Sequence, residues 1–253
     1  MEKIKNSNIN FLNKVLKIIP LGSQTFSRSK IFFDERYSPL FNIKGDNGYI
    51  YDLDKKKYVD LISGLGAVTL GYNIKKLNNK IIPVINKGIT LSLSHPYEYE
   101  LSKTLTKIIP CAEMVRLGKN GTDVTSAAIR LSRFITKKNK VAVCGYHGWQ
   151  DWYISNTTMN GGIPNYVSKD IKSFEYNNIQ SLKNIFKKNK LAAVILEPLS
   201  YEIPKNKFLE KVKNLCKKNN TILIFDEICT GFRVSLGGAQ KLYSVTPDLA
   251  TFG

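Results

Sequence analysis

One pattern recurs three times along this 253-residue chain. A stretch with apolar residues at helical spacing ends in a cluster of Lys and Asn, and a short apolar run rich in β-branched residues follows at once. The runs are Val141-Ala142-Val143, Ala193-Val194-Ile195-Leu196 and Ile222-Leu223-Ile224-Phe225. Lysines in a last helical turn complement the helix dipole and Asn suits the turn beyond it, so each cluster marks a helix C-terminus feeding a strand. Strands apolar on both faces, alternating with helices, predict an α/β fold whose mostly parallel sheet is covered by helices on each side. Ligands of such sheets bind at the carboxyl ends of the strands. Those ends carry Tyr146-His147, Glu197-Pro198 and Asp226-Glu227.

The pattern before about residue 75 is different. Residues 48–60, from Gly48 through Tyr49-Ile50-Tyr51 to Tyr58-Val59-Asp60, alternate as a hairpin with a polar turn. Ile4, Ile9, Phe11, Leu12, Val15, Leu16 and Ile19 recur at helical spacing among Lys and Asn, which predicts an amphipathic N-terminal helix. The expected division is therefore residues 1–74, an N-terminal helix and part of a small α+β domain, and residues 75–253, a large α/β domain. The first twenty residues lack the continuous apolar core of a signal peptide. No apolar run approaches the ~20 residues of a membrane span, so neither a membrane partner nor a location outside the cytoplasm is expected.

Charge alters this picture less than its size suggests. Against 20 Asp and Glu stand 38 Lys and Arg, a net charge of +18. The excess lies in short separated runs, Lys55-Lys56-Lys57, Lys137-Lys138, Lys187-Lys188 and Lys217-Lys218, several of them at the helix ends just described. A nucleic-acid surface needs clustering on one face, so nucleic acid is not an expected partner. Cys111, Cys144, Cys216 and Cys229 form no CxxC pair and meet no paired histidines, so neither a metal site nor a disulfide framework is indicated.

Chemistry concentrates at a few positions. Lys119-Asn120-Gly121-Thr122-Asp123 precedes a strongly helical stretch, and free N–H groups at such a start suit an anion; alternatively Thr122 serves only as the helix cap. Asp226 closes an apolar strand, so its carboxylate needs a cationic partner, either a protonated ring nitrogen or Arg233. Tyr146 could stack on a flat ligand or be an ordinary half-buried tyrosine, while His147 and His95 suit structural roles.

Together these residues resemble the class III aminotransferases, and within them the glutamate-1-semialdehyde 2,1-aminomutases and their relatives. The segment from Phe225-Asp226-Glu227-Ile228-Cys229-Thr230-Gly231-Phe232-Arg233 through Gly237-Gly238-Ala239-Gln240 to Thr246-Pro247-Asp248 carries most of the resemblance. Gly121-Thr122-Asp123, Tyr146-His147-Gly148 and Glu197-Pro198 add to it. The resemblance implies a fold-type-I enzyme dependent on pyridoxal 5'-phosphate, working on small amino and carbonyl substrates and homodimeric when full length. Gly121 and Thr122 would hold the cofactor phosphate, Tyr146 and Ile228 would flank the ring, and Asp226 would meet the pyridine nitrogen. His147 and Glu197 would complete the cofactor pocket, and Arg28 would take the substrate carboxylate. In the family the Schiff-base lysine directly follows the segment matching Thr251-Phe252-Gly253. It is thus expected directly after Gly253, leaving these 253 residues alone without catalytic activity. The alternative is a non-catalytic scaffold on the same fold. Asn120, Asp123, Trp149 and Leu65 depart from the aminomutase pattern around the expected pocket, so amino transfer to another aldehyde or ketone stays open.

Overall fold

The computed structural model describes residues 6–34 and 37–253. The chain divides into two compact units, Met1–Ser92 and Leu93–Gly253. The division expected at residues 74 and 75 precedes a helix, Lys75–Ile85, that groups with the first unit.

In the first unit, helix α1 (Asn6–Val15) turns Leu12 and Val15 inward, as the apolar spacing predicts; Ile4 lies outside the described residues. Strands β1 (Asn42–Asp46), β2 (Tyr49–Asp52) and β3 (Lys57–Val59) form an antiparallel meander, followed by α2 (Lys75–Ile85). The expected hairpin is β2–β3. Its polar turn is organised by buried Asp52, whose Oδ1 accepts the N–H groups of Asp54 and Lys56, both at 2.9 Å, while Tyr58 Oη donates to Oδ2. A short Asx-type turn of this kind replaces the backbone bonds that the reversal leaves unmade. Strand β1 was not legible from its alternation, because Asn42-Ile43-Lys44-Gly45-Asp46 exposes Ile43 and buries no side chain fully.

The second unit runs α3 (Pro96–Ile108), α4 (Gly121–Thr136), β4 (Lys140–Cys144), α5 (Asp151–Ile154), β5 (Ile171–Ser173), α6 (Ile179–Lys188), β6 (Leu191–Leu196), α7 (Phe208–Lys218), β7 (Ile222–Glu227), α8 (Gly238–Leu242) and β8 (Leu249–Phe252). The five strands lie in the order β5-β4-β6-β7-β8, every neighbouring pair parallel. The three apolar runs are β4, β6 and β7, and all six residues of β6 are buried. Alternation along the strands feeds two cores. Ala142, Val194, Leu196, Leu223 and Phe225 pack with Leu182 of α6 and with Phe208 and Val212 of α7. On the other face Val141, Val143, Ala193, Ile195 and Ile224 pack with Ile129 of α4 and Tyr153 of α5.

The Lys–Asn clusters do what their position suggests, with an added device. Asn189 and Asn219 follow α6 and α7, and each donates its side-chain amide to a last-turn carbonyl, Ile185 O at 2.9 Å and Leu215 O at 2.8 Å. Lys138 Nζ donates to the carbonyls of Asn219 and Asn220, so part of the basic charge is consumed by otherwise unsatisfied helix-end groups. Among the described residues no helix is long and apolar enough to cross a membrane.

Candidate active site

The strand order reverses at β4: the chain steps to β5 on one side, then to β6, β7 and β8 on the other. The crevice beyond the carboxyl ends of strands at such a switch is the natural ligand position. Here a hollow opens there, lined by the start of α4, the turn after β4, Glu197 after β6, and Asp226, Ile228 and Cys229 at and beyond the end of β7.

Helix α4 enters from below the hollow. Its cap is Asn120, not Thr122: the Asn120 side chain accepts the Asp123 N–H at 3.2 Å, and Thr122 lies inside the first turn. Asn wins because its carbonyl reaches the third helical amide from the position before the helix. The amides of Gly121 and Thr122 have no acceptor among the described residues, so the positive end of the helix dipole faces the hollow with donors to spare. Thr122 Oγ1 accepts the N–H of Trp149 at 3.3 Å, which ties the helix start to the turn after β4.

That turn is Gly145-Tyr146-His147-Gly148. Gly145 and Gly148 have φ of +106° and +105°. A Cβ on Gly148 would sit 2.1 Å from Thr122 Oγ1, and one on Gly145 would press on the Glu197 side chain. Glycine is therefore required twice, for conformation and for close approach. The reversal sends Tyr146 outward, 60% exposed, and His147 inward, 1% exposed. Glu197 Oε1 accepts the Tyr146 N–H at 2.8 Å, so this carboxylate holds the turn in place.

Asp226 is 3% exposed at the end of β7, and its carboxylate is fixed by three donors. Oδ1 accepts the Thr251 hydroxyl at 3.0 Å and the Ile228 N–H at 3.2 Å, and Oδ2 meets His147 Nδ1 at 2.8 Å. Thr251 reaches it because the two residues are register partners across β7 and β8. The partner beside Asp226 is thus His147; Arg233, the alternative from the sequence, donates its Nε to the Cys229 carbonyl. His147 Nε2 is buried without a partner among the described residues, which favours the tautomer with its proton on Nδ1, donating to Asp226. Ile228 stands on the far side of the hollow, touching Gly121, where an added Cβ would meet it at 3.2 Å.

Of the residues singled out in the sequence, the structure brings Gly121, Thr122, Tyr146, His147, Glu197, Asp226 and Ile228 around this one hollow. Arg28 ends an exposed 3-10 turn, Phe26–Arg28, in the first unit. Three contributors escaped the sequence reading. Thr251 and Tyr153 looked like ordinary strand and helix residues, and Glu227 was shadowed by Asp226. Glu227 is wholly buried; its carboxylate accepts the Thr230 hydroxyl and the backbone N–H groups of Ala239 and Gln240, at 2.7 and 2.9 Å.

A parallel sheet of this order, with a helix N-terminus and a buried carboxylate lining one crevice at its switch point, is the fold-type-I architecture expected from the sequence. The family model for class-III aminotransferases matches residues 32–253, and the chain belongs to that family. It is 39% identical, over its whole length, to 3-aminobutyryl-CoA aminotransferase of Cloacimonas acidaminovorans (strain Evry), and covers 62% of that protein. It is 38% identical to glutamate-1-semialdehyde 2,1-aminomutase of Wigglesworthia glossinidia brevipalpis, with 99% of this chain and 62% of that protein aligned. The chain therefore spans about three-fifths of the length of the curated relatives it matches. Among solved structures, the PLP internal aldimine form of Sphingopyxis sp. MTA144 FumI protein superposes with a TM-score of 0.91 over 98% of this chain and 61% of that one, at 23% identity. The glutamate-1-semialdehyde aminomutase of Pseudomonas aeruginosa PAO1 does so with 0.87 over 98% of this chain and 57% of that one, at 19% identity. These likenesses agree with the family and fold expected from the residues alone.

Proposed function

We propose that the protein is a pyridoxal 5'-phosphate-dependent aminotransferase or aminomutase, moving an amino group to an aldehyde or ketone carbon. The observation that carries this reading is Asp226, a buried carboxylate held rigid by His147, Thr251 and the Ile228 amide at the edge of a hollow that the donor-rich start of α4 also lines. A molecule bearing both a basic ring nitrogen and a phosphate suits these two groups. When bound, the cofactor supplies an electron sink for the bond broken at the substrate Cα.

The chain's own residues would serve it as follows. Gly121 and Thr122 offer backbone donors and the helix dipole to the phosphate. Tyr146 covers one ring face and Ile228 the other, excluding water from the ring. Asp226 accepts a charge-assisted hydrogen bond from the ring nitrogen and so keeps its proton in place. His147 donates to the second oxygen and stops the carboxylate from rotating away. Glu197 holds Tyr146 at the height of the ring through its amide.

The relative acting on 3-aminobutyryl-CoA and the relatives acting as aminomutases stand at nearly equal identity, so the reading keeps both reaction types. Trp149 is 71% exposed beside Thr122, where the aminomutase pattern has histidine, so transfer to another aldehyde or ketone stays open. The four free cysteines support a reducing, cytoplasmic setting. Tyr97 and Leu101, both exposed and one helical turn apart on α3, support a homodimer.

The test is equilibrium titration of the purified protein with pyridoxal phosphate and pyridoxamine phosphate, followed by the fluorescence of Trp149 and Trp152. Saturable binding is expected. Asp226→Asn should weaken it by roughly tenfold to a hundredfold, the equivalent of the ~1.5–3 kcal/mol of a charged hydrogen bond. An Asp226→Asn protein that binds as tightly as the unaltered one would remove Asp226 from the ring nitrogen.

A further inference from the structure

The residue that organises the Tyr146–His147 turn from behind is Tyr153, on α5 and 7% exposed. Its hydroxyl donates to the Gly145 carbonyl at 2.7 Å, at the point where the backbone reverses. Its ring meets that of Tyr146 edge to face, with centroids 5.6 Å apart and planes at 88°. It meets the His147 imidazole at 5.3 Å and 70°. One side chain thus touches three consecutive residues of the four-residue turn, two of which line the hollow.

Neither neighbour has much else to orient its ring. Tyr146 projects into the hollow with most of its surface free, and its amide bond to Glu197 fixes the backbone, not the ring. The His147 ring has one hydrogen bond, at Nδ1, about which the imidazole could still tilt, and Nε2 has no partner among the described residues. Tyr153 is in turn held. Neighbouring Trp152 packs on it at 5.8 Å and donates Nε1 to Ser126 Oγ at 2.8 Å, and Ser126 donates to the Thr122 carbonyl on the first turn of α4. The brace therefore runs from the anion-facing end of α4 to the Tyr146 and His147 rings.

We infer that Tyr153 is a positioning residue: its ring sets the tilt of Tyr146 over the bound cofactor and the seat of His147 on Asp226. This rests on the reading that the hollow binds pyridoxal phosphate. Burial, then the nearby Glu197 carboxylate, pushes the Tyr153 phenol up to about 12, so it keeps the hydrogen that it donates throughout the neutral range.

The experiment compares Tyr153→Met and Tyr153→Leu, which fill space without a ring, with Tyr153→Phe, which keeps the ring and loses the hydroxyl. Pyridoxal phosphate affinity and the induced circular dichroism of the bound cofactor are measured on whichever variants far-UV dichroism shows to be folded. The ringless variants should bind at least tenfold more weakly and lose more than half of the induced signal, while Tyr153→Phe should stay within about threefold of the unaltered protein and keep its signal. In a Tyr146→Leu background, removing the Tyr153 ring should cost less than threefold further, because its main client is gone. A ringless variant with affinity within twofold and an unchanged induced band would overturn the inference, as would an equal loss in both backgrounds. An unaltered protein that binds no cofactor would instead overturn the reading beneath it.

Discussion

Glu227→Gln is the substitution for which the structure allows the closest estimate. Glu227 is fully buried, and its two oxygens divide their donors: Oε2 takes the Thr230 hydroxyl and the Ala239 N–H, while Oε1 takes the Gln240 N–H and, at 3.4 Å, Gln240 Nε2. Glutamine keeps the shape and one oxygen. Whichever way its amide turns, the new NH2 faces a backbone N–H, of Ala239 or of Gln240, that then has no acceptor. Gln240 cannot simply flip to help, because its Oε1 already accepts the Cys111 N–H at 3.0 Å. One buried donor left unsatisfied costs about 1–3 kcal/mol, and two remaining bonds lose their charge assistance at roughly 1 kcal/mol each. Removing a buried charge recovers part of its desolvation and offsets some of this loss. The net expectation is destabilisation of about 2–4 kcal/mol, a large share of the stability of an ordinary domain. Urea unfolding followed by tryptophan fluorescence reads it in the second unit, where Trp149 and Trp152 both lie. The midpoint should fall at unchanged slope. Thr230→Val, which removes one hydroxyl donor and leaves both N–H bonds, should cost only about 1 kcal/mol. A Glu227→Gln change under about 0.5 kcal/mol would refute the reasoning, since it would mean that the carboxylate's burial cost cancels all its bonds.

Gly148→Ala should destabilise by at least ~2 kcal/mol and weaken cofactor binding, because φ is +105° and the new methyl meets Thr122 Oγ1 at 2.1 Å; a neutral effect in unfolding and titration would show that the turn can rearrange. At alkaline pH, burial raises Tyr153 from about 10 and Cys144 from about 9, each to about 12. A raised folded-state value contributes stability that is complete below the unfolded value and is lost as pH rises through the folded one. Urea midpoints should therefore decline between about pH 9 and 12, and Tyr153→Phe or Cys144→Ala should flatten that decline; a profile unaltered by either substitution would contradict it.

The large unit was legible in the chain because its signals are local. β6 and β7 are runs long enough to be buried on both faces, and the Lys–Asn clusters mark where the preceding helices stop. β5 was not legible: Ile171-Lys172-Ser173 is three residues with one buried side chain, a strand only because β4 offers it an edge. In the site, the groups at strand ends stood out as polar residues after apolar runs, which is how Tyr146, Glu197 and Asp226 were found. Their supports did not stand out. Thr251 matters because register sets it opposite Asp226, and Tyr153 because a turn folds back over it; both relations cross the sequence. Asn120 and Thr122 are both good caps by residue type, and only the dihedrals at Asn120, extended at φ −150° and ψ 170°, decide between them.

Asp226 and Glu227 are consecutive on one strand, so pleating sends their carboxylates to opposite sides. A slip of β7 by a single residue against β6 and β8 would exchange the two, putting the longer acid in the hollow and the shorter one under α8. Parity is thus what insertions and deletions in this lineage must respect. The turn before β7 has no slack to absorb one. Thr221 Oγ1 donates to the Leu191 carbonyl, and Lys138 clamps both Asn219 and Asn220. Length variation compatible with the site belongs upstream, in residues 198–207 between β6 and α7, where a gained or lost residue leaves the phase of β7 untouched.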